Sequence, residues 1–220
     1  MTSRREERMV TIALPGGRGA AGGPEQGGSL EGIFVAGAAD SNRGAVIAPP
    51  HPLFGGSIES PVLNEIAYAC GKAGLASMRF NWRGVGASTG TPSGEAADAD
   101  ADYRAALVHM EETIDGPIVA CGYSFGAATA VRVALDDRRV DRLVLVAPPP
   151  SALPPAAFEE LARPALVMVG DLDSLVEPEQ LRALSEKAGG VQLEVIPLAD
   201  HFFATGLADI SRLAAVWLDA

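Results

Sequence analysis

Short apolar runs alternate with longer amphipathic segments along most of the chain. The runs are rich in Val, Ile, Leu and Ala, and they have the length of ordinary strands. They predict strands at residues 10–14, 30–35, 45–49, 76–80, 117–122, 142–147, 165–170 and 193–197. Apolar positions at helical spacing predict helices at residues 59–73, 95–113, 125–136, 178–188 and about 210–218. This alternation indicates an α/β fold with a mostly parallel, doubly wound sheet of about eight strands.

Most of the predicted strands are apolar throughout, which indicates that both faces of the sheet are covered. The acidic residues of the segment 95–115 are interpreted as the outer, solvated face of a helix, and they are Glu95, Asp98, Asp100, Asp102, Glu111, Glu112 and Asp115. The glycine-rich segment 16–28 predicts a flexible loop between the first two strands. At 220 residues, the chain is expected to form a single domain over residues 1–220.

The charge balance and the N-terminal segment limit the partners of the chain. The formal net charge is −11 and no cluster of Lys and Arg is present, which argues against a nucleic-acid partner. The apolar run 9–14 ends at Pro15-Gly16, which is too short for a signal peptide or a membrane span, so no membrane partner is expected. Cys70 and Cys121 provide no disulfide framework and lie in apolar runs, so they are expected to be buried thiols of a cytoplasmic protein.

The pattern G-x-S-x-G occurs twice, as GASTG around Ser88 and as GYSFG around Ser124. In a nucleophile elbow, a strand runs directly into the turn and a helix leaves it, so that the sheet holds a strained, exposed serine. GYSFG follows an apolar strand and precedes an Ala-rich helical pattern, whereas GASTG lies among turn formers. Ser124 is therefore the predicted nucleophile, and Ser88 is interpreted as a loop hydroxyl.

A serine nucleophile requires a base, which in turn requires a group that orients it. The chain contains three histidines, which are His51, His109 and His201. His109 lies within a helical pattern and is interpreted as structural. His201 follows the last predicted strand, at the carboxyl end where open parallel sheets place their sites. His201 is therefore the predicted base.

An acid is expected on a loop that follows a later strand than the nucleophile. The segment GDLDSLVEP, which follows the strand at 165–170, supplies both Asp171 and Asp173. Either choice gives the order serine, aspartate, histidine along the chain. The separately predicted positions of the serine, the aspartate and the histidine thus all indicate a serine nucleophile with a histidine base and an acid.

The segments PHPLFGGS, RFNWRGVGASTG, GYSFGA, GDLDSLVEP and DHFF, which span about residues 45–205, resemble the α/β-hydrolases. Within this superfamily the chain is similar to the small lidless type, such as dienelactone hydrolases and short bacterial serine esterases. The resemblance implies that the acid is the aspartate three residues after Gly170, which is Asp173, and that Asp171 is a loop or capping residue. It also implies that no cap domain covers the site.

The resemblance further implies an oxyanion hole made of backbone N–H groups. One donor is the residue after the nucleophile, Phe125. The other lies after the third strand, where the usual His-Gly is His-Pro; because proline has no N–H, Leu53 is the expected donor. His51 is expected to brace this loop, and Arg83 is a candidate residue for shaping the edge of the site.

The sequence thus predicts a cofactor-independent serine hydrolase that cleaves short-chain carboxylic esters of small molecules. The histidines show no metal-binding spacing and no P-loop is present, so neither a metal nor a nucleotide cofactor is expected. Two alternatives use the same fold: a catalytically silent binding protein, and an acyltransferase or haloperoxidase-like enzyme with the same triad. The natural substrate is left open, as is a homodimer.

Overall fold

The computed structural model describes residues 6–16 and 27–220. In these residues, one sheet is formed by β1 (Glu7–Ala13), β2 (Ser29–Val35), β3 (Gly44–Ala48), β4 (Ala76–Phe80), β5 (Ile118–Tyr123), β6 (Val140–Val146), β7 (Ala165–Gly170) and β8 (Val191–Ile196). The helices are α1 (Pro61–Lys72), α2 (Ala96–Glu111), α3 (Phe125–Ala134), α4 (Ala157–Glu160), α5 (Pro178–Ser185) and α6 (Leu207–Asp219). Single 3₁₀ turns are formed by Pro52–Phe54 and Pro150–Ala152.

The strand order across the sheet is β1-β2-β4-β3-β5-β6-β7-β8. The strands from β4 to β8 in this order pair in parallel, whereas β1 pairs with β2, and β2 with β4, in the antiparallel sense. The prediction of a mostly parallel α/β sheet is therefore confirmed. Because parallel strands end at the same edge, the loops after β3, β5, β7 and β8 come together there.

The apolar runs form the centre of the sheet. Every residue of β3, β4, β5 and β7 is buried. Successive residues of a strand face opposite sides, so both faces of these strands are covered. Helix α1 packs against α6, and α2 packs against α3. The result is a rigid scaffold beneath the loops at the carboxyl edge.

The connection from β6 to β7 contains the 3₁₀ turn at 150–152 and the four-residue helix α4. Phe158 of α4 is buried, so the segment packs onto the body of the protein. A segment of this size, rich in proline, provides no helical cap over the sheet edge.

The predicted strands and helices lie within a few residues of the observed ones. One interpretation was wrong: Asp102 is not on a solvated face, because its side chain is only 1% exposed and pairs with Arg83. The sequence signal did not reveal this pairing because Arg83 lies in an irregular turn. The flexible loop expected at 16–28 lies mostly outside the described residues and stays a prediction.

Candidate active site

Ser124 lies on a sharp turn between strand β5 and helix α3. Its backbone has φ 53° and ψ −116°, a conformation that L-residues rarely adopt. The turn is held on both sides: Ser124 N–H donates to the Val146 carbonyl at 2.8 Å, and the Ser124 carbonyl accepts from Ala128 N–H at 3.1 Å. The local geometry is therefore that of a nucleophile elbow, with strain that the surrounding sheet maintains.

The two glycines of GYSFG are required by close backbone contacts. A Cβ at Gly122 would lie 2.4 Å from the Gly126 carbonyl, and a Cβ at Gly126 would lie 2.5 Å from the carbonyl oxygens of Ala48 and Pro49. Backbone atoms cannot move aside cheaply at such distances. The glycine spacing of the motif thus has a steric cause, which brings helix α3 close to the end of β3.

Ser124, His201 and Asp173 form one chain of hydrogen bonds. The Ser124 Oγ to His201 Nε2 distance is 3.1 Å, and the His201 Nδ1 to Asp173 Oδ2 distance is 2.7 Å. A carboxylate oxygen accepts, so this arrangement places the imidazole proton on Nδ1 and leaves Nε2 to accept from the serine hydroxyl. The structure brings together the three residues that the sequence selects.

The predicted acid, Asp173, is held by hydrogen bonds within its own loop. Asp173 Oδ1 accepts from Leu175 N–H at 2.9 Å and from Val176 N–H at 2.8 Å, while the other oxygen contacts His201. The Asp173 side chain is fully buried, whereas Asp171 is exposed. Of the two candidate acids, Asp173 therefore contacts the imidazole.

The expected oxyanion loop is braced by His51. His51 is the N-cap of the 3₁₀ turn Pro52–Phe54, and its Nδ1 accepts from Leu53 N–H at 3.2 Å. The His51 ring packs against Phe54 and Phe125, with centroid distances of 4.8 and 4.6 Å. Burial lowers the pKa of the His51 imidazole, which favours the neutral form that can accept this bond. Leu53 N–H, the expected oxyanion donor, is therefore already hydrogen-bonded to His51.

Phe125 begins helix α3, so its N–H is among the first-turn amides that have no partner within the helix. Its ring and the Trp82 ring meet edge to face, with their centroids 5.6 Å apart. The Trp82 indole N–H lies 3.2 Å from the Pro49 carbonyl oxygen and 3.0 Å from that of Pro50. Trp82 therefore supports the segment before His51, a role that sequence reasoning missed because no periodicity marks a loop tryptophan.

The side chains of Arg83 and Ser88 form ion pairs or hydrogen bonds with other residues of the protein. The Arg83 guanidinium binds the carboxylates of Asp98 and Asp102, and its own backbone N–H also donates to Asp102. Hydrogen bonding to Asp102 raises the pKa of Arg83, which keeps it charged. The Ser88 hydroxyl donates to the Asn81 carbonyl and accepts from Glu31 N–H, as expected of a loop hydroxyl.

Apolar side chains next to the site residues are exposed. Leu53 and Phe54 follow His51, Leu175 lies two residues after Asp173, and Phe202 follows His201. These four are between 58% and 85% exposed. We call these four side chains the apolar rim, and they are open to solvent.

In the ranges 6–16 and 27–220, His, Cys, Asp and Glu side chains form no group of three suited to hold a metal ion. Across the same ranges, the helices are too short or too polar to traverse a bilayer.

The model of the α/β-hydrolase fold family matches residues 51–163, and the chain belongs to this family. The matched region includes His51 and the turn at Ser124.

Individual relatives agree with this assignment. An α/β serine hydrolase homologue from Coxiella burnetii is 30% identical, with 99% of this chain and 98% of that chain covered and a TM-score of 0.78. A lidless α/β serine hydrolase from Xanthomonas campestris is 25% identical, with 97% and 96% covered and a TM-score of 0.76. A Rickettsia prowazekii protein of uncharacterised function is 27% identical over 202 residues, which are 86% of this chain and 83% of that protein. The family and the solved relatives support a hydrolase activity.

Proposed function

We propose that the protein is a cofactor-independent serine hydrolase that cleaves short-chain carboxylic esters of small molecules. The observation that carries the proposal is the continuous hydrogen-bonded series from Ser124 through His201 to Asp173, on a strained elbow. The serine is half-buried and reachable, whereas the acid is fully buried. This is the arrangement that activates a hydroxyl for attack on an acyl carbonyl.

The first half of the proposed reaction forms an acyl-enzyme. Ser124 Oγ attacks the ester carbonyl carbon while His201 Nε2 takes the hydroxyl proton, and the carbonyl electrons move onto oxygen. When the tetrahedral intermediate collapses, the ester C–O bond breaks and the alcohol leaves with the proton from His201. Asp173 holds the ring orientation and stabilises the imidazolium in both steps.

The second half consumes water. His201 takes a proton from a water molecule, whose oxygen attacks the acyl carbon of the ester on Ser124. Collapse of this intermediate breaks the bond to Ser124 Oγ, which recovers its proton from His201, and the carboxylic acid leaves. Ser124, His201 and Asp173 return to their starting protonation states after each turnover, so the proposed reaction consumes only ester and water and needs no cofactor.

The oxyanion of both intermediates is proposed to bind the N–H groups of Phe125 and Leu53. Phe125 N–H lies at the start of α3, where the helix dipole also favours negative charge. Leu53 N–H already donates to His51 Nδ1. When the oxyanion forms, this N–H must either donate to both acceptors or break its bond to His51. Loss of one such donor typically costs about 3 kcal/mol in the transition state.

The substrate size follows from what surrounds the site. The connection from β6 to β7 provides no cap, and the apolar rim is open to solvent. An open rim buries a few methylene groups but not a long chain, so short acyl groups are the proposed substrates.

Covalent labelling with a fluorophosphonate probe tests the proposal. Ser124 Oγ is expected to attack phosphorus and release fluoride, so the wild-type protein is labelled and Ser124→Ala is not. Ser124→Ala should also lose ester turnover by several orders of magnitude, because triad members act as a unit. Ser88→Ala is the matched control and should be labelled like the wild type.

Three results would contradict the proposal: no labelling of the wild type, labelling that persists in Ser124→Ala, or activity that EDTA removes and a divalent ion restores. Product analysis with added alcohols separates hydrolysis from acyl transfer. Ester products in place of the free acid would assign the protein to the acyltransfer class.

A further inference from the structure

Tyr123, the last residue of β5, directly precedes the predicted nucleophile and makes a contact that the motif G-x-S-x-G does not require. Its hydroxyl donates to the backbone carbonyl of His201 at 2.7 Å. Its ring lies beside the His201 imidazole, with centroids 5.6 Å apart, and meets Phe203 edge to face at 6.2 Å. Tyr123 is only 5% exposed. The residue before the predicted nucleophile thus contacts the predicted base directly.

The loop that carries His201 needs such support. It runs from the end of β8 to the start of α6 without regular secondary structure. Leu198 and Phe203, one on each side of His201, have φ of 59° and 54°, in the left-handed region that disfavours side chains. Conformations of this kind cost roughly 1 kcal/mol each and persist when the surrounding structure enforces them.

Three hydrogen bonds join residues of this loop to one another. Phe203 N–H and Ala204 N–H donate to Asp200, and the Thr205 hydroxyl donates to the Leu198 carbonyl. These bonds set the shape of the loop but not its position on the sheet. Its position relative to Ser124 requires bonds to other elements.

Apart from the contacts of the His201 ring with Ser124 and Asp173, two hydrogen bonds within the described residues reach this loop from other elements. Leu172 N–H, from the acid loop, donates to the Ala199 carbonyl at 3.0 Å. The Tyr123 hydroxyl, from β5, donates to the carbonyl of His201 itself. Since Tyr123 and Ser124 are consecutive, the rigid end of β5 fixes both the serine and the histidine.

We propose that Tyr123 is a positioning residue that sets the distance between Ser124 Oγ and His201 Nε2. This inference rests on the proposed function and extends it to a residue outside the triad. Burial raises the pKa of the Tyr123 phenol well above its ordinary range, and the nearby carboxylates of Asp173 and Asp200 add to this effect. The phenol therefore stays protonated and keeps donating throughout the working pH range.

The variant Tyr123→Phe tests the proposal, because it keeps the ring and its packing and removes the hydroxyl. The kcat for p-nitrophenyl acetate should fall about tenfold or more, the factor that about 1.4 kcal/mol of barrier corresponds to. The KM should change less than about twofold, because the hydroxyl faces His201 and not the substrate.

Tyr103→Phe is the matched control. The Tyr103 hydroxyl is also buried, and it donates to the carbonyls of Val46 and Cys121 at 2.9 and 3.0 Å. Both variants lose a buried hydroxyl and are expected to lose stability. When kcat is calculated per folded molecule, only Tyr123→Phe should show a loss.

A second measurement does not depend on ester turnover. The His201 Nδ1 proton in its hydrogen bond to Asp173 should give a downfield proton NMR signal, assigned by its absence in His201→Gln. In Tyr123→Phe this signal should shift or broaden through exchange with water, whereas in Tyr103→Phe it should match the wild type. A purely structural role of the hydroxyl would leave the signal unchanged.

The two proposals fail in different ways. A wild type that neither labels nor turns over esters overturns the proposed function, and the NMR signal still decides the role of Tyr123. Equal kcat losses in Tyr123→Phe and Tyr103→Phe overturn the positioning role, as does an unchanged kcat with an unchanged NMR signal in Tyr123→Phe. In those cases, the fluorophosphonate result with Ser124 still stands.

Discussion

Gly170 lies so close to Ala199 that a Cβ on the glycine would be 2.1 Å from the Ala199 carbonyl oxygen. Gly170 ends β7, three residues before Asp173, and Ala199 lies two residues before His201. The loops that carry the predicted acid and base are therefore in backbone contact at this point. Only a residue without a side chain allows this approach.

Gly170→Ala is expected to separate these two loops. Overpacking of this kind costs typically 1–3 kcal/mol, so the Tm should fall. The kcat should fall as well, because displacement of either loop lengthens the contact between Asp173 and His201. Thermal unfolding and ester kinetics measure the two effects.

The matched control is Gly189→Ala. A Cβ at Gly189 has no neighbouring heavy atom within 4 Å, so this variant should match the wild type in Tm and kcat. A Gly170→Ala protein with unchanged Tm and kcat would show that the two loops tolerate separation.

The acyl-chain preference follows from the open site. Activity on esters of about C2 to C6 should exceed that on C12 and longer, since a rim without a cap buries few methylene groups at about 0.8 kcal/mol each. A series of p-nitrophenyl esters from acetate to palmitate measures the preference through kcat/KM. A maximum at the long end would mean that another segment, or a second copy of the chain, supplies the missing wall.

The lowered pKa of His51 predicts a pH dependence of stability. The unfolded chain protonates this histidine near its ordinary pKa of about 6.5, whereas the folded protein does so only at lower pH. Between these values the unfolded state binds more protons, so stability is full above the ordinary pKa and falls as the pH drops below it.

His51→Asn should flatten this dependence, because asparagine does not titrate and its side-chain oxygen can still accept from Leu53 N–H. The Tm of the wild type should drop more than that of the variant between about pH 7.5 and about pH 5.5. The two proteins differ only at position 51, so contributions from the rest of the chain largely cancel in the comparison. Parallel Tm curves would remove His51 as a source of the pH dependence.

Arg83→Lys should affect stability and leave substrate binding unchanged. Arg83 donates to the buried carboxylate of Asp102 through both Nε and Nη2, and lysine cannot reproduce this fork. The loss is expected to be about 1–3 kcal/mol, as for hydrogen bonds to charged groups. The KM should stay within about twofold of the wild type.

Arg182→Lys is the control, because the Arg182 pair with Glu179 is largely exposed and such pairs contribute little. A raised KM with unchanged stability in Arg83→Lys would instead place Arg83 in contact with the substrate.

The sequence predicted the sheet well because its strands carry a strong and simple signal. β3, β5 and β7 are apolar at nearly every position, which marks buried parallel strands without help from tertiary contacts. The chain order of Ser124, Asp173 and His201 was readable for a related reason. Each follows a strand whose end the apolar pattern locates.

Contacts that depend on side-chain packing were not readable. Asp102 has the composition of a solvated helix face, and its burial depends on an arginine from a distant turn. The Tyr123 hydroxyl and the Trp82 indole each donate to backbone carbonyls of residues far away in the chain. A carbonyl is present at every position, so no residue pattern marks these acceptors.

The hydrogen bond from Leu53 N–H to His51 Nδ1 has a consequence for product release. In the proposed reaction each turnover yields a carboxylate, an anion suited to the same N–H groups as the oxyanion. The His51 imidazole competes with the carboxylate for Leu53 N–H. Because His51 belongs to the same chain, its effective concentration at this N–H does not change on dilution. In the proposed reaction, the tetrahedral intermediate carries its charge on one oxygen, so it should compete with the imidazole more strongly than the carboxylate, whose charge is shared by two oxygens. We therefore expect His51 to favour release of the carboxylate product in the proposed reaction.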